Sequence, residues 1–355
     1  MKIPSPLPQE PDALPVFTAK QRNAPAIDWY RSPISKEEFK SLHRKSDLLG
    51  ALQTGGYLGL YLTTLTLAIV SFAFWPAWTT VLLVFLHGTV AAFMINAVHE
   101  LGHGTVFKTR WCNRFFCKIF AFLGIINDET FQESHIRHHR YTLHPPDDLE
   151  VVLPIKLMVR HFFLSAFINF KDLYYTPKWV IEKALGNFKG EWEETLFPES
   201  DPKKRKAPVN WARVLLLGHG LIIAGGLVSG YWIVPLLVTG SRFYGGWLFF
   251  LCNNTQHIGL RDFVPDFRLC CRTFTLNPVV QFLYWHMNFH TEHHMYAAVP
   301  CYRLARLHRL IRHDLPPTKH GLIAVWKEIA TIQYRQEKDP EYVHPIALPK
   351  SSSPT

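Results

Sequence analysis

Two long apolar blocks dominate the pattern of hydrophobic and polar positions. No Asp, Glu, Lys or Arg occurs from Leu48 to Val98, and Arg242 is the one such residue between Val214 and Leu260. A helix that crosses a bilayer needs about 20 apolar residues, so each block is long enough for two helices. The four predicted helices cover residues 51–73, 78–98, 210–230 and 233–256. The fold class predicted is therefore an all-α integral membrane protein with four transmembrane helices and a cytosolic helical cap.

The basic residues predict the orientation of these helices. The short turns near 74–78 and 229–233 contain no Lys or Arg. Short loops rich in Lys and Arg stay in the cytosol, so both termini and the long central segment are expected there. The predicted organisation is a cytosolic segment 1–50, transmembrane helices in 51–98, a cytosolic segment 99–208, transmembrane helices in 209–257 and a cytosolic tail 258–355. The membrane would be the endoplasmic reticulum in a eukaryote and the inner membrane in a bacterium.

Composition narrows the function classes. The formal net charge is +10, but no nucleic-acid-binding motif accompanies it, so anionic lipid headgroups or an acidic protein partner explain the excess better. The six cysteines show no CxxC spacing, and Cys270 and Cys271 are adjacent. This pattern predicts reduced thiols rather than a zinc site or a disulfide framework.

Nine of the 19 histidines fall at or beyond predicted helix ends, all on the cytosolic side. His99 and His103 are four residues apart, and two later boxes share the spacing HxxHH, so each set shares one helical face and can reach a common metal. Nine neutral ligands exceed what one tetrahedral zinc can use, whereas two metals with four or five ligands each fit, and imidazole suits iron. The nine are His99, His103, His135, His138, His139, His257, His290, His293 and His294.

Two other interpretations remain open at this stage. His99 to His103 also reads HExxH, the pattern of a zinc protease in which Glu100 is the general base. That hypothesis, an intramembrane protease, leaves seven grouped histidines without a role. The non-enzymatic alternative is a membrane metal-binding or lipid-sensing protein.

The ordered boxes HELGHGT (99–105), HIRHH (135–139), NNTQH (253–257) and NFHTEHH (288–294) resemble those of the membrane fatty-acid desaturase and hydroxylase superfamily. The resemblance covers roughly residues 50–310. Within it, residues 277–300 are similar to desaturase-like proteins of small-molecule pathways, such as the dihydrorhizobitoxine desaturases. The HxxxH spacing of the first box departs from the HxxxxH of acyl-CoA desaturases and argues against an acyl-CoA substrate.

The resemblance implies a non-heme centre of two iron ions with molecular oxygen as co-substrate. It implies that the nine histidines ligate iron and that Asn253 holds iron through a water. The implied reaction is an oxidation that introduces a C=C bond into a lipid or lipid-like aliphatic chain. Hydroxylation by the same superfamily is the alternative, since HExGH in the first box and HHRYT after the second also resemble alkane monooxygenases.

The resemblance also implies an external electron donor, either cytochrome b5 or a ferredoxin with its reductase. No haem-binding HPGG run occurs in the chain, so a fused cytochrome b5 domain is not expected. Residues 303–312 place arginines on one face of a predicted helix, a pattern typical of a membrane-surface or docking helix. The other expected partners are the lipid bilayer and a hydrophobic substrate.

A few further residues are secondary candidates. An intramembrane arginine is a functional hypothesis by default, so Arg242 is a candidate for gripping the substrate. Acidic residues beside the second box are candidates for orienting ligand imidazoles; these are Glu133, Asp147 and Asp148. His286 and Trp285 precede the third box by about one turn and are candidates for metal support or a substrate passage.

Overall fold

The computed structural model describes residues 26–349, which are mostly helical. The beginning of the predicted segment 1–50 and the end of the predicted tail therefore lie outside the described residues. The helices of the described part are α1 (Lys36–Leu42), α2 (Asp47–Phe74), α3 (Ala77–Ala91), α4 (Met94–Gly102), α5 (Arg110–Leu123), α6 (Asp128–Tyr141), α7 (Val159–Ala166), α8 (Phe170–Ala184), α9 (Glu191–Leu196), α10 (Pro202–Val228), α11 (Ile233–Val238), α12 (Trp247–Asn253), α13 (Phe267–Cys270), α14 (Pro278–Leu283), α15 (His290–Met295), α16 (Leu304–Ile311) and α17 (Gly321–Lys338).

Three stretches are long and apolar enough to cross a membrane among the residues described: α2, the combined α3–α4 stretch Ala77–Gly102, and α10. The Ser46 side chain caps α2 by accepting a hydrogen bond from the Leu49 amide. The helix ends before Pro76, which has no N–H to continue it. Three of the four predicted membrane helices are thus confirmed as helices of spanning length, with bounds shifted by a few residues at most ends.

The fourth predicted helix, over 233–256, is not continuous, and this part of the prediction was wrong. Helices α11 and α12 are separated by a 3-10 turn at Gly240–Phe243 and by an extended Tyr244. Gly245 has a φ of +71°, and a Cβ there would lie 2.7 Å from the carbonyl oxygen of Phe85. The chain therefore turns directly against α3, where only a glycine fits.

The connection between α7 and α8 supplies hydrogen bonds to this break. The Asn169 amide donates to the Phe243 carbonyl at 2.7 Å, and the Gly245 amide donates to the Phe167 carbonyl at 3.0 Å. Backbone groups away from water need such partners, because an unpaired buried N–H or C=O is costly. Residues 167–169 of the predicted cytosolic segment therefore pack beside residues that hydropathy assigned to a membrane helix.

The C-terminal part folds back onto the ends of α2 and α4. Strand β1 (Phe274–Thr275) pairs in parallel with β2 (Lys319–His320), which ties the segment before α15 to the start of α17. The main apolar core includes fully buried Trp285 and Leu304. This packing places α15, with the third histidine box, against the ends of α4 and α6.

Candidate metal centre

The four histidine-bearing segments converge at one place. Helix α4 carries His99 and is followed directly by His103, helix α6 carries the second box, and α15 carries the third. The remaining residue, His257, follows α12 by four positions. Each box lies on one face of its helix, because positions three and four apart are neighbours on a helix surface.

All nine predicted histidines fall into two clusters of potential metal ligands, and the ligand atoms within each cluster lie within 4.8 Å of one another. The first group is His99, His103, His135, His139 and His293. The second group is His138, His257, His290 and His294. Every member of the second group is buried. The grouping of five and four is the division that two metal ions with separate ligand sets require.

Within each group, imidazole Nε2 atoms lie within hydrogen-bonding distance of one another. In the first group, the Nε2 atoms of His139 and His135 are 2.9 Å apart, and those of His293 and His139 are 3.1 Å apart. In the second group, the Nε2 atoms of His290 lie 2.9 Å from His257 and 3.1 Å from His294.

These separations test the fit of a metal. Nitrogens bound about 2.1 Å from an ion lie about 3.0 Å apart at adjacent right-angled corners and about 3.4 Å apart in a tetrahedron. The observed spacing of 2.9–3.1 Å is short enough for both nitrogens of a pair to ligate one ion. The paired rings of each group therefore fit a shared metal ion.

Carboxylate side chains hold several of the imidazole rings by accepting a hydrogen bond from Nδ1, the nitrogen opposite the clustered Nε2 atoms. His138 Nδ1 donates to Asp148 Oδ2 at 2.8 Å, and His135 Nδ1 donates to Glu150 Oε1 at 3.0 Å. Such partners fix the tautomer and ring orientation, and they leave Nε2 free to bind a metal. Of the acidic candidates from the sequence, Asp148 accepts a hydrogen bond from a histidine in this way. Asp147 pairs instead with Arg137.

Main-chain and hydroxyl groups orient two further rings. His257 Nδ1 donates to the Cys270 carbonyl at 2.8 Å. The Thr142 hydroxyl donates to the His138 carbonyl at 2.6 Å, so its oxygen is free to accept from His294 Nδ1, 3.2 Å away. Together with the Asp148 carboxylate, these contacts orient His138, His257 and His294 of the second group.

Glu100 takes part in the same arrangement. The residue is fully buried; its Oε1 accepts from His99 Nδ1 at 2.9 Å and lies 3.5 Å from His293 Nδ1. It therefore lies on the Nδ1 side of two ligand rings. A protease base would instead face the open coordination position of a metal held by two histidines and one further ligand.

Burial sets the charge state of most of the histidines. Desolvation lowers the pKa of His257 to about 3 and depresses the pKa of His135 and His290 well below the ordinary value. A neutral imidazole keeps the lone pair that a metal needs. Burial also disfavours the charged form of His138, but the Asp148 carboxylate outweighs it and raises that pKa.

The remaining predicted site residues lie around the two groups. Asn253 is the last residue of α12, as expected for a residue one turn before His257. His286 and Trp285 adopt left-handed backbone angles, with φ of 60° and 50°, and neither belongs to a histidine group. The His286 Nδ1 accepts from Gln281 Nε2 at 3.1 Å. These two residues shape the turn that leads into α15.

Two other predicted residues are placed differently from the histidines. Glu133 forms an ion pair with Lys204 at 2.9 Å, and both side chains are about one-third exposed, so its carboxylate does not orient a ligand ring. Arg242 lies in the 3-10 turn rather than in a helix and lines a cavity beside α4.

Sequence reasoning missed Glu150 and Glu292 as supporting groups. Glu292 lies within the third box and is fully buried; its carboxylate accepts from His308 Nδ1 at 2.5 Å and from the Thr273 hydroxyl. It thereby fixes α15 to α16. The signal for Glu292 was its place inside HTEHH, whereas Glu150 lies 15 residues after His135 and offers no helical spacing to detect it.

The fold and the two histidine groups define a helical membrane protein with a centre suited to two metal ions. The sequence profile of the fatty acid desaturase family matches residues 73–326. The chain belongs to this family and is an oxidoreductase of the desaturase and hydroxylase type. It is also similar to a sphingolipid delta(4)-desaturase DES1-like protein of Oryza sativa subsp. japonica, with 23% identity over 304 residues that cover 81% of each chain.

Family membership decides between the open alternatives of function. A zinc protease and a passive metal-binding or lipid-sensing protein are not retained, because the chain is a member of an oxidoreductase family. The three long apolar helices agree with a protein that is integral to a membrane. The particular similarity to dihydrorhizobitoxine desaturases stays a prediction.

Proposed function

We propose that the protein is a membrane-bound, O2-dependent di-iron desaturase that introduces a C=C bond into the aliphatic chain of a lipid or lipid-like molecule. The observation that carries the proposal is the division of nine buried or nearly buried histidines into groups of five and four. Desaturation is preferred to hydroxylation because the sphingolipid desaturase is similar over most of both chains.

In this proposal the first group holds one iron and the second group holds the other, with Asn253 contributing through a water. When bound, the irons supply the oxidising capacity needed to remove hydrogen from an unactivated carbon. The reaction removes two hydrogen atoms from adjacent carbons, and with two electrons and two protons from a donor they reduce O2 to two waters.

The chain's own residues position the ligands and exclude water. Asp148 and Glu150 accept hydrogen bonds from Nδ1 of His138 and His135 respectively. The proton therefore stays on Nδ1, and Nε2 is directed inward. Complete burial of the neighbouring Trp285 and Tyr284 closes the space beneath the third box to solvent. A dry, rigid site favours substrate oxidation over side reactions, and the position of the chain carbons decides between alkene and alcohol.

Metal and oxygen measurements test the proposal directly. The purified protein is expected to contain about two irons per chain and to form a desaturated product only when O2 and reductant are present. Elemental analysis and a comparison of lipid products from cells with and without the protein measure these properties. One zinc per chain, or an alcohol as the sole product, would overturn the di-iron assignment or the desaturase assignment respectively.

We also propose that an acidic electron donor docks on α16 from the cytosol. The apolar side of α16 is buried through Leu304, Leu307 and Ile311, whereas Arg309 and Arg312 are exposed. Arg306 is paired with Glu38 at 2.7 Å, whereas Arg309 and Arg312 form no ion pair within residues 26–349 and so offer their positive charge to a partner. Long-range attraction between such a surface and an acidic donor is strongest at low ionic strength.

Charge reversal tests this docking surface. Arg309→Glu is expected to slow donor-dependent turnover several-fold at low salt, with a smaller effect near physiological ionic strength. Lys327→Glu on the neighbouring α17, also an exposed position, serves as the matched control and should leave turnover unchanged. Steady-state rates with cytochrome b5 or ferredoxin at several salt concentrations measure the effect. Identical salt profiles for the two variants would rule out docking at α16.

A further inference from the structure

A cavity of about 80 Å³ lies between α4, the turn at 240–246 and the connection from α7 to α8. Most of its wall is apolar, and the polar groups are gathered on the side formed by α7–α8 and the 3-10 turn. The polar lining residues are Ser165, Asn169, Asp172, Ser241 and Arg242. The break in the predicted fourth helix is what brings Arg242 to this position.

The apolar side of the cavity leads to the histidine groups along two helices. Ile95 lines the cavity and shares a face of α4 with His99, four residues on. Phe249 also lines it and shares a face of α12 with Asn253. One helical turn is about 5.4 Å, so on both helices the cavity wall begins one turn from the candidate metal centre.

The polar side contains buried groups that lack partners. Arg242 Nε and Ser165 Oγ are buried and have no hydrogen-bond partner among the described residues. Burial raises the pKa of the Asp172 carboxyl, and the charge of Arg242 opposes that shift, so the two groups act on each other across the cavity. They form no ion pair with each other in the part of the chain that the structure describes. Buried polar groups are nearly always hydrogen-bonded. Arg242 Nε and Ser165 Oγ therefore point to a bound polar group in the cavity.

We propose that this cavity binds a neutral hydrogen-bonding group of the substrate, a hydroxyl or an amide, while the adjoining aliphatic chain extends towards the histidines. The inference rests on the proposed function, because it uses the centre's role in oxidising that chain. A carboxylate would be attracted by Arg242 but repelled by Asp172, and an ammonium the reverse, so neither ion satisfies both groups. A hydroxyl or amide can accept from Arg242 and donate to Asp172 at the same time.

Probe binding tests this assignment without requiring turnover. The wild-type protein and Arg242→Met are compared for their affinities for 1-hexadecanol, hexadecanamide, palmitate and n-hexadecane in the same detergent. The affinity of the hydroxyl or amide probe relative to hexadecane is expected to fall about tenfold in Arg242→Met, because a charge-assisted hydrogen bond is lost. Arg160→Met, an exposed position on α7, is the matched control and should keep the wild-type ratio.

The outcomes separate the inference from the proposed function. Equal ratios in wild type and Arg242→Met, or a preference for palmitate that disappears in the variant, would overturn the neutral-group assignment. If Arg242→Met does not fold, Ser165→Ala provides the same ratio test, with an expected loss of about threefold. If the probe ratios are the same in wild type and Arg242→Met while the protein is loaded with iron and active, this inference fails and the proposed function stands. If Arg242→Met loses the discrimination between probes that the wild type shows, but the purified protein contains no iron, the proposed function fails and this inference stands.

Discussion

Replacing His138 by alanine is expected to abolish product formation and to lower the iron content from about two ions per chain to about one. His138 is buried in the second group, and His257 and His294 are held in place by hydrogen bonds at Nδ1, so they are not expected to take its position. The five ligands of the first group do not include His138, so that ion should remain. Elemental analysis together with an assay of lipid products measures both effects.

A second substitution and a control make this prediction specific. His290→Ala removes another ligand of the same group, and since His290 Nδ1 has no partner among the described residues, it leaves no buried carboxylate behind. His144→Ala removes a histidine close to His138 in sequence but outside both groups, and it should keep both irons. Full iron content in His138→Ala, or an equal loss in His144→Ala, would contradict the assignment of the second group.

Local spacing was enough to identify the nine histidines that the structure gathers into two groups. His99 and His103 share a helical face whatever the tertiary fold, and the HxxHH boxes do the same within α6 and α15. What spacing could not reveal is how the nine divide. His138 and His139 are adjacent in sequence yet belong to different groups, because successive residues on a helix point about 100° apart.

Hydropathy predicted three membrane helices and failed at the fourth. Arg242 is the one charged residue among residues 233–256, and average hydropathy gives no sign of a break. The break depends on tertiary contacts: Gly245 lies against the backbone of α3, and the strand-like contact of Ile168 with Tyr244 replaces the missing helical hydrogen bonds. Such partners lie far away in sequence, so a local pattern cannot indicate them.

The supporting carboxylates show the same limit in another form. Glu133, Asp147 and Asp148 all flank the second box, and nothing in the sequence distinguishes them. In the structure Glu133 meets Lys204 and Asp147 meets Arg137, while Asp148 meets His138. Glu133 lies within α6, whereas the path of the chain after α6 decides the directions of Asp147 and Asp148. Glu100, read from HExxH as a protease base, lies in α4 and is directed to the rings of His99 and His293.

The substitution Asp148→Asn is expected to lower iron affinity or turnover by roughly 10- to 100-fold, the usual effect of losing a group that orients a metal ligand. Asp148 Oδ2 accepts from His138 Nδ1 and from the Leu143 amide, both at 2.8 Å. Burial opposes ionisation of Asp148, but His138 and the backbone amides outweigh it and lower its pKa. A charged carboxylate strengthens the basicity of the imidazole, whereas an amide of the same shape does not.

Asp147→Asn is the matched control, because it makes the same chemical change at the adjacent residue, whose carboxylate pairs with Arg137 at 3.0 Å. Iron affinity should stay near the wild-type value in this variant, while thermal stability falls slightly from loss of the ion pair. Titration of the metal-free protein with ferrous iron measures the affinities, and thermal unfolding shows whether either variant is merely destabilised. Comparable losses of iron affinity in the two variants would mean that Asp148 stabilises the loop after α6 and does not tune the metal centre through His138.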